Sequence, residues 1–362
     1  MSASNAAEAE RLCEEGYNLL EAGRFEEARA LLERARDLAP DNPVAHYRLG
    51  LLYTDTGRPA DALAALDTSL GLRSDNARAH NNRGAALQVL KRFAEAEQAF
   101  RRALELGPDL PMPYVNLGHL LEEQGKPREA VELYEQAIAR GLDGAGFNHH
   151  IAAITGRVTD RAPDNWVRAT FDNFAPNFDS HLDVLGYDVP RKLAALLQPR
   201  VTRPLDILDL GCGTGRCGAA LVQCKRDLVG VDLSEKMVAL ARLRGIYDEL
   251  HVGEVHAWLR DVAAARFDLV IAADVFIYIG DLEAVFREAA RALRARGWFV
   301  FSTEECAETE YTLLPTGRYA QSQAYIRRLA EPSFGVIIEE AAVIRMESGA
   351  PINGRFYVLQ KT

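Results

Sequence analysis

A short run of glycines in the second half of the chain has the residue types and spacing of a ligand-binding loop. Gly211, Gly213 and Gly215 alternate with other residues directly after the apolar segment 205–210. Glycines at such a place let the backbone approach a ligand closely, because they carry no Cβ. Asp209 adds a carboxylate beside the turn, which favours a cationic ligand and opposes a negatively charged diphosphate. The pattern therefore predicts a site for a positively charged small molecule.

The same glycines fit two ligand-binding patterns, which differ in where the turn begins. Residues 213–218 match the GxGxxG pattern of dinucleotide-binding proteins, which is weak evidence on its own. The apolar run already ends at Leu210, so the turn begins at Gly211, as it does in loops that bind S-adenosylmethionine. Together with Asp209 this favours S-adenosylmethionine as the cofactor. NAD(P) and a degenerate site remain the alternatives.

Apolar runs alternate with helical patterns around this loop and predict a doubly wound α/β domain. The predicted strands are 205–210, 227–232, 250–254, 267–274 and 297–303, with helices over about 234–244 and 282–295. Segments 334–343 and 354–360 predict a closing antiparallel pair, which is typical of the methyltransferase variant of this fold. We therefore assign residues 201–362 to a Rossmann-like domain that binds S-adenosylmethionine.

Two stretches of this domain resemble class I S-adenosylmethionine-dependent methyltransferases. Residues 208–215 resemble the first motif of that family, and residues 231–237 resemble the second. The resemblance implies that Asp232 binds the ribose hydroxyls, since a carboxylate can accept from two neighbouring donors. It implies that Leu233 and Met237 line the adenine, and that Glu254 lies near the adenine amino group, although the family usually has Gly-Asp there. The full set predicted to bind the cofactor is Asp209, Gly211, Gly213, Gly215, Asp232, Leu233, Met237, Gly253, Glu254, Asp274 and Phe276.

Methyl transfer from a sulfonium mainly requires alignment of nucleophile, methyl group and sulfur, and exclusion of water. A general base is needed only where the acceptor must lose a proton. The Asp/Asn-Pro-Pro-Tyr/Phe motif of amide and exocyclic-amine methylation is absent after the fourth strand, which disfavours glutamine or adenine as the acceptor. The candidates for direct chemistry are His181, Asp274, Tyr278 and Tyr319, each of which is also consistent with a packing role. Arg318 is a candidate for binding an acidic substrate group, with an exposed structural arginine as the alternative.

The first half of the chain repeats with a period of 34 residues, seen in Gly16, Gly50, Gly84 and Gly118. Two further series of small residues keep this spacing: Ala28, Ala62, Ala96 and Ala130, and Ala35, Ser69, Ala103 and Ala137. These series resemble the tetratricopeptide repeat, with four copies over about residues 9–142 in a domain 1–145. Each copy predicts two antiparallel helices that bury their apolar faces only by stacking on neighbouring copies.

A stack of such repeats forms a concave groove that binds extended peptides in the family it resembles. On that resemblance, Asn82 and Asn116 face the groove, where an amide can pair with a peptide backbone of any sequence. This predicts a protein or peptide partner. A purely structural role, such as dimerisation, is the alternative.

Residues 146–200 are expected to link the two domains and to cap the second one. Segment 171–182 is aromatic and acidic; with 186–190 and 317–319 it resembles predicted bacterial methyltransferases that carry such repeats. It predicts a cover over the ligand pocket, or else a packed junction. His149 and His150 are neighbours on a predicted helix and cannot easily chelate together, and no Cys or His stands at ligand spacing, so we predict no metal.

The composition limits the classes of partner and location. A net charge of −10 over 362 residues disfavours nucleic acid. No apolar run is long enough to span a bilayer, the N-terminus does not resemble a secretory signal, and the five cysteines are scattered, so we expect a cytoplasmic protein. The favoured function is an S-adenosylmethionine-dependent methyltransferase whose repeats recruit a protein or peptide acceptor. The alternatives are a small-molecule methyltransferase that uses the repeats for assembly, and a non-catalytic repeat scaffold with a relic cofactor fold.

Overall fold

The computed structural model describes residues 3–142, 144–307, 309–347 and 350–362. The chain divides into two compact units, Met1–Ile151 and Ala152–Thr362. The predicted connecting segment 146–200 therefore belongs mostly to the second unit.

The first unit consists of antiparallel helix pairs, as the repeat predicts. Helices α3 and α5 begin where the side chains of Asn42 and Asn76 accept hydrogen bonds from the backbone N–H groups of Val44 and Ala79, at 2.9 and 3.1 Å. The helices are α1 (Ala3–Glu21), α2 (Phe25–Leu38), α3 (Pro43–Asp55), α4 (Pro59–Leu72), α5 (Ala77–Val89), α6 (Phe93–Leu106), α7 (Pro111–Glu123), α8 (Pro127–Ala139) and α9 (Gly144–Thr155).

The repeating glycines lie where the two helices of a pair come closest. A Cβ added to Gly84 would stand 2.5 Å from the ring of Phe100, and one added to Gly118 would overlap the ring of Tyr134. Phe100 and Tyr134 are fully buried. The 34-residue period therefore arises because a glycine on the first helix of each pair makes room for a large side chain on the second helix.

The second unit is a mixed sheet with helices on both faces, which confirms the predicted fold class. The strands follow the order β3-β2-β1-β4-β5, with β9 antiparallel between β5 and β8. The strands are β1 (Leu205–Leu210), β2 (Lys225–Asp232), β3 (Glu249–Val252), β4 (Phe267–Ala272), β5 (Leu293–Glu305), β6 (Tyr311–Leu313), β7 (Tyr319–Gln321), β8 (Phe334–Glu347) and β9 (Ala350–Lys361). The helices are α10 (Asp164–Phe174), α11 (Phe178–Val184), α12 (Val189–Leu197), α13 (Arg216–Leu221), α14 (Glu235–Leu243), α15 (Val255–Asp261), α16 (Glu283–Ala292) and α17 (Gln323–Ala330).

The central strands are buried on both sides. Phe299 and Phe301 of β5 belong to one apolar cluster and the intervening Val300 to another, and all three are fully buried. Alternate residues of a strand face opposite sides, so helices must cover both faces. This explains why the sequence shows continuous apolar runs here. Within the described ranges, no helix combines the length and apolar character needed to cross a lipid bilayer.

Two details of the second unit differ from the prediction. Strand β5 begins at Leu293, inside a segment predicted to be helical to about residue 295. Strands β6 and β7 were not predicted, because three residues each are too few for a periodic pattern. β7 adds to the end of β5 and brings the preceding loop, with Arg318, to the same edge of the sheet.

We predict that Gly84→Ala lowers the free energy of unfolding by about 1–3 kcal/mol, because the added methyl group must displace the buried Phe100 ring. The matched control is Gly71→Ala in α4, where an added Cβ meets nothing within 4 Å. That change should alter stability by less than about 1 kcal/mol. Urea unfolding followed by far-ultraviolet circular dichroism measures both; equal effects would contradict the close approach.

Candidate active site

The glycine loop leaves the carboxyl end of β1 and enters α13. Gly211, Gly213 and Gly215 have φ values of 64°, 53° and 91°, a region that residues with a Cβ rarely adopt. Gly211 and Gly213 line a cavity of about 300 Å³. A Cβ on Gly213 would meet nothing nearer than Phe178, at 3.9 Å, so the loop backbone here is open to a ligand. Gly215 is not part of the cavity wall and instead precedes the first turn of α13.

Asp232 ends β2 on the wall of the same cavity. One carboxylate oxygen accepts the backbone N–H of Gly213 and the other accepts that of Ser234, both at 2.8 Å. Burial raises the pKa of Asp232, and the two backbone donors oppose that rise. The carboxylate is thus fixed in orientation and keeps lone pairs for further donors. Leu233 lies beside it on the wall, whereas Met237 is fully buried and does not line the cavity.

Asp209, which was predicted to bind the cofactor, lies behind the loop. Its side chain is fully buried, does not line the cavity, and accepts a hydrogen bond of 2.6 Å from the Tyr247 hydroxyl. Burial raises the pKa of Asp209 to about 7, with the Tyr247 hydroxyl opposing the rise and nearby Asp232 adding to it. A carboxyl group with such a pKa is only partly charged near neutral pH. Asp209 therefore supports the loop from below instead of presenting a full charge to the cavity.

Tyr247 was not predicted from the sequence, although glycines mark its place. A Cβ added to Gly215, Gly218 or Gly230 would stand 2.5–2.9 Å from the Tyr247 side chain. These glycines leave the space in which the ring lies under the loop. Gly215 and Gly218 thus leave room for a partly buried ring.

Glu254 lines the cavity, but its carboxylate caps a helix. Its two oxygens accept the backbone N–H groups of His256 and Ala257 at the start of α15, at 3.0 and 2.7 Å, and one lies 3.4 Å from Arg161. Glu254 is the N-cap residue of α15, and these N–H groups need a partner at a helix start. Gly253 is not on the cavity wall; its N–H donates to the carbonyl of Asp232.

Residues 273–279 line the cavity, with one exception. Asp274 lines it with a φ of 60°, and its carboxylate lies 3.3 Å from Arg345. Val275 and Tyr278 also line it. The exception is Phe276, which was predicted as a cofactor contact and is fully buried against the rings of β5, with centroids 6.1 and 5.3 Å away.

The predicted chemical candidates separate into two groups. His181, Tyr278 and Arg318 line the cavity with Asp274. Tyr319, the remaining candidate, does not line it: it is fully buried, and its hydroxyl hydrogen-bonds to that of Thr159 at 2.5 Å.

Residues 164–184, which we name the cap, form one wall of the cavity through apolar side chains. These are Val167, Phe171, Phe174, Phe178 and Leu182. Polar contacts join the cap to the strand ends: Thr214 donates to Asp179 at 2.5 Å, Ser234 donates to Asp172 at 2.5 Å, and Arg244 pairs with Asp179. The aromatic residues of this segment thus face the cavity, whereas its aspartates hold the cap to the loop and to the strand ends.

Asn82 and Asn116 belong to the first unit, on α5 and α7. Asn116 donates from its amide to Asn81 at 2.9 Å, and Asn81 donates to Asn82 at 3.3 Å. The two predicted residues are therefore linked through Asn81, which lies outside the 34-residue series.

Family models match both units of the chain. A methyltransferase domain model matches residues 208–301, and tetratricopeptide repeat models match residues 19–85 and 75–141. The first match includes the glycine loop, Asp232 and Asp274. The second unit therefore contains a methyltransferase domain.

Two curated relatives match part of the chain. Ubiquinone biosynthesis O-methyltransferase of Bordetella avium is 32% identical over 116 residues, which are 31% of this chain and 46% of the relative. The biotin biosynthesis bifunctional protein BioHC of Saccharophagus degradans is 34% identical over 140 residues, 38% of this chain and 24% of the relative. The chain thus spans less than half the length of either relative.

Solved structures resemble the methyltransferase domain as well. One is 1,6-didemethyltoxoflavin-N1-methyltransferase of Burkholderia thailandensis, with bound 1,6-didemethyltoxoflavin and S-adenosylhomocysteine. It is 19% identical, and the match covers 57% of this chain and 92% of that chain with a TM-score of 0.44.

Two features of the methyltransferase domain fit S-adenosylmethionine. Asp232 offers a fixed carboxylate on the cavity wall, which suits a pair of ribose hydroxyls. Gly213 leaves its side of the loop open where any side chain would occupy the cavity. The buried Asp209 does not contribute a direct contact to this fit.

We predict that Asp209 makes the stability of the methyltransferase domain depend on pH. Its folded-state pKa of about 7 lies above its ordinary value of 3.8, so the folded state binds the proton more tightly. That stabilisation is complete below about pH 4 and is lost as the pH rises through 7. The free energy of unfolding of Asp209→Asn, relative to the unaltered protein, should therefore rise by roughly 2–4 kcal/mol between about pH 4 and pH 8.

Denaturant unfolding across that pH range measures the difference. Tyr247→Phe is the informative control, since it removes the hydroxyl that supports the charged form and should extend the pH-dependent window upward. A stability difference between Asp209→Asn and the unaltered protein that stays constant with pH would show that the carboxyl group keeps an ordinary pKa.

Proposed function

We propose that this protein is an S-adenosylmethionine-dependent methyltransferase. The observation that supports this most directly is Asp232, held by the N–H of Gly213 on the wall of a cavity that the glycine loop opens. The cofactor, when bound, supplies an electrophilic methyl group. The chain's own part is to bind and orient: Asp232 takes the ribose hydroxyls, the backbone of residues 211–213 lies against the amino-acid portion, and Leu233 packs on the adenine side.

We propose further that the acceptor is a small molecule. The cavity volume of about 300 Å³ is at the lower end of the range for sites that bind small ligands. Phe171, Phe174 and Phe178 of the cap line it with apolar surface, and Phe174 remains 52% exposed. A cavity wall of apolar side chains suits a compact acceptor better than an extended peptide. This favours the small-molecule alternative over the peptide acceptor that the repeats alone suggest.

The relative from Bordetella avium is named an O-methyltransferase, and oxygen is the acceptor atom that we propose here. An oxygen nucleophile from a hydroxyl group must lose a proton as the bond to carbon forms. His181 and Asp274 both line the cavity and can take that proton. Burial raises the pKa of Asp274, with Arg345 and Arg318 opposing the rise, so its carboxylate remains a usable base.

We predict that Asp232→Asn weakens binding of S-adenosylhomocysteine by about 10- to 100-fold. The amide loses one acceptor oxygen and turns a donor toward a backbone N–H group. Isothermal titration calorimetry on the full chain measures the dissociation constant. Asp261→Asn is the matched control and should change it by less than about threefold, since Asp261 is exposed, pairs with Arg260 and does not line the cavity.

Circular dichroism establishes that both variants are folded. Unchanged binding by Asp232→Asn would contradict the proposed contact of Asp232 with the ribose. Absence of any heat of binding with the unaltered protein would contradict the proposed function itself.

A second function, peptide binding by the repeats, is favoured by the chain of amides from Asn116 through Asn81 to Asn82. These contacts fix the two outer amides while leaving donors and acceptors for a peptide backbone. We propose that the repeats bind a protein partner in an extended conformation, separately from methyl transfer.

For this second function, we predict that the double change Asn82→Ala and Asn116→Ala reduces binding to an array of random-sequence peptides by at least about fivefold, as expected for two lost hydrogen bonds. Gln136→Ala, an exposed amide on α8, is the control and should bind as the unaltered protein does. Binding of S-adenosylhomocysteine should stay the same in both. Equal peptide binding by the double variant and the control would rule out the asparagines as a peptide site.

A further inference from the structure

Two arginines on the cavity wall take no part in the cofactor contacts described above. Arg318 comes directly before β7, and Arg345 belongs to β8. Both line the cavity, and their side chains are 25% and 7% exposed. A buried guanidinium keeps its charge and needs hydrogen-bond acceptors. The acceptors of each arginine therefore show whether it is available to a ligand.

Arg345 is engaged by the protein. It forms ion pairs with Glu304 and, at 3.3 Å, with Asp274, while Glu347 lies 3.4 Å from its Nε. These contacts join β8 to the end of β5 and to the residue after β4. Arg345 is therefore a positioning residue that holds Asp274 at the wall.

Arg318 is engaged only in part. Its Nη1 donates to Glu347 at 2.6 Å, and the phenol of Tyr278 lies beside the guanidinium, which opposes the rise in the pKa of Tyr278 caused by burial. A guanidinium has five N–H donors. Over the part of the chain that the structure describes, Glu347 and Tyr278 leave several of these donors for a ligand in the cavity.

The strand order places Arg318 at the acceptor end of the cavity. Asp232 follows β2, the glycine loop follows β1, and Asp274 follows β4, while Arg318 precedes β7 beyond β5. These residues thus lie along the sheet edge in that order. The proposed cofactor extends from Asp232 to the glycine loop, so a group that reaches Arg318 belongs to the acceptor.

The charges around Arg318 limit the negative charge that this group can carry. Asp274, Glu304 and Glu347 surround the two arginines, but of these only Asp274 lines the cavity. Three carboxylates against two guanidiniums disfavour a doubly charged phosphate more strongly than a singly charged carboxylate.

We propose that Arg318 binds a carboxylate of the methyl acceptor, and that the acceptor is a small organic acid with an apolar body. The planar guanidinium matches a carboxylate through paired N–H donors, and the aromatic side chains of the cap receive the apolar body. This inference rests on the proposed function, since it places the acid in the part of the cavity that the cofactor leaves open.

The test uses the full chain saturated with S-adenosylhomocysteine and a panel of small aromatic and aliphatic carboxylic acids. Each acid is paired with its primary amide, which has nearly the same shape but no charge. Calorimetry should show that at least one acid binds about tenfold or more tightly than its amide. In Arg318→Gln this preference should disappear, whereas Arg318→Lys should retain part of it.

The control is Arg327→Gln, an exposed arginine that pairs with Glu339 at 2.8 Å, which should behave as the unaltered protein. Arg318→Gln should also bind S-adenosylhomocysteine within about threefold of the unaltered protein. A tenfold weakening would mean that Arg318 holds the cofactor, and would overturn the inference.

Acids that bind no better than their amides, including a panel in which nothing binds, would overturn it as well. If S-adenosylhomocysteine still binds while the acids show no preference over their amides, the proposed function is not contradicted. Failure to bind S-adenosylhomocysteine at all overturns both.

Discussion

The hydrogen bond from the backbone N–H of Gly213 to Asp232 is the contact on which the rest of the site depends. It joins the loop after β1 to the end of β2, so the position of the glycine backbone and the orientation of the carboxylate are set together. Gly213 can make this contact only with a positive φ. A side chain there would both strain the loop and fill the cavity, so one residue type meets the conformational and the spatial requirement.

A second set of contacts supports the glycine loop from the side opposite the cavity. The ring of Tyr247 occupies the space left by three glycines, and its hydroxyl donates to the buried Asp209. The same loop therefore touches ligand space on one side and a partly buried aromatic ring on the other. Its shape is fixed by packing from below before any ligand arrives, which reduces the entropy lost on binding.

The sequence predicts most of the fold because its signals are local or periodic. The 34-residue series reveals the helix pairs, and the continuous apolar runs reveal the central strands. The glycine loop and Asp232 could also be placed, since both follow directly from strand ends. Strands β6 and β7 could not, because their pairing is set by the end of β5 and leaves no pattern of its own.

The roles of single side chains were harder to predict, since they depend on contacts distant in sequence. Asp209 and Phe276 stand at expected places in the chain, yet both are fully buried and neither lines the cavity. Arg345 and Tyr247 gave no signal, because their partners Asp274 and Asp209 lie far away along the chain. Glu254 stands where an aspartate was expected, and its carboxylate accepts hydrogen bonds at the start of α15.

The placement of β9 between β5 and β8 has a consequence for how the cavity is assembled. β8 pairs with β9, and β9 pairs with β5, so Arg345 is brought to Asp274 through this hairpin. The contact of Gly213 with Asp232 lies instead between the ends of β1 and β2 and does not involve the hairpin. The nucleoside side and the acceptor side of the cavity are thus held in place by different parts of the sheet.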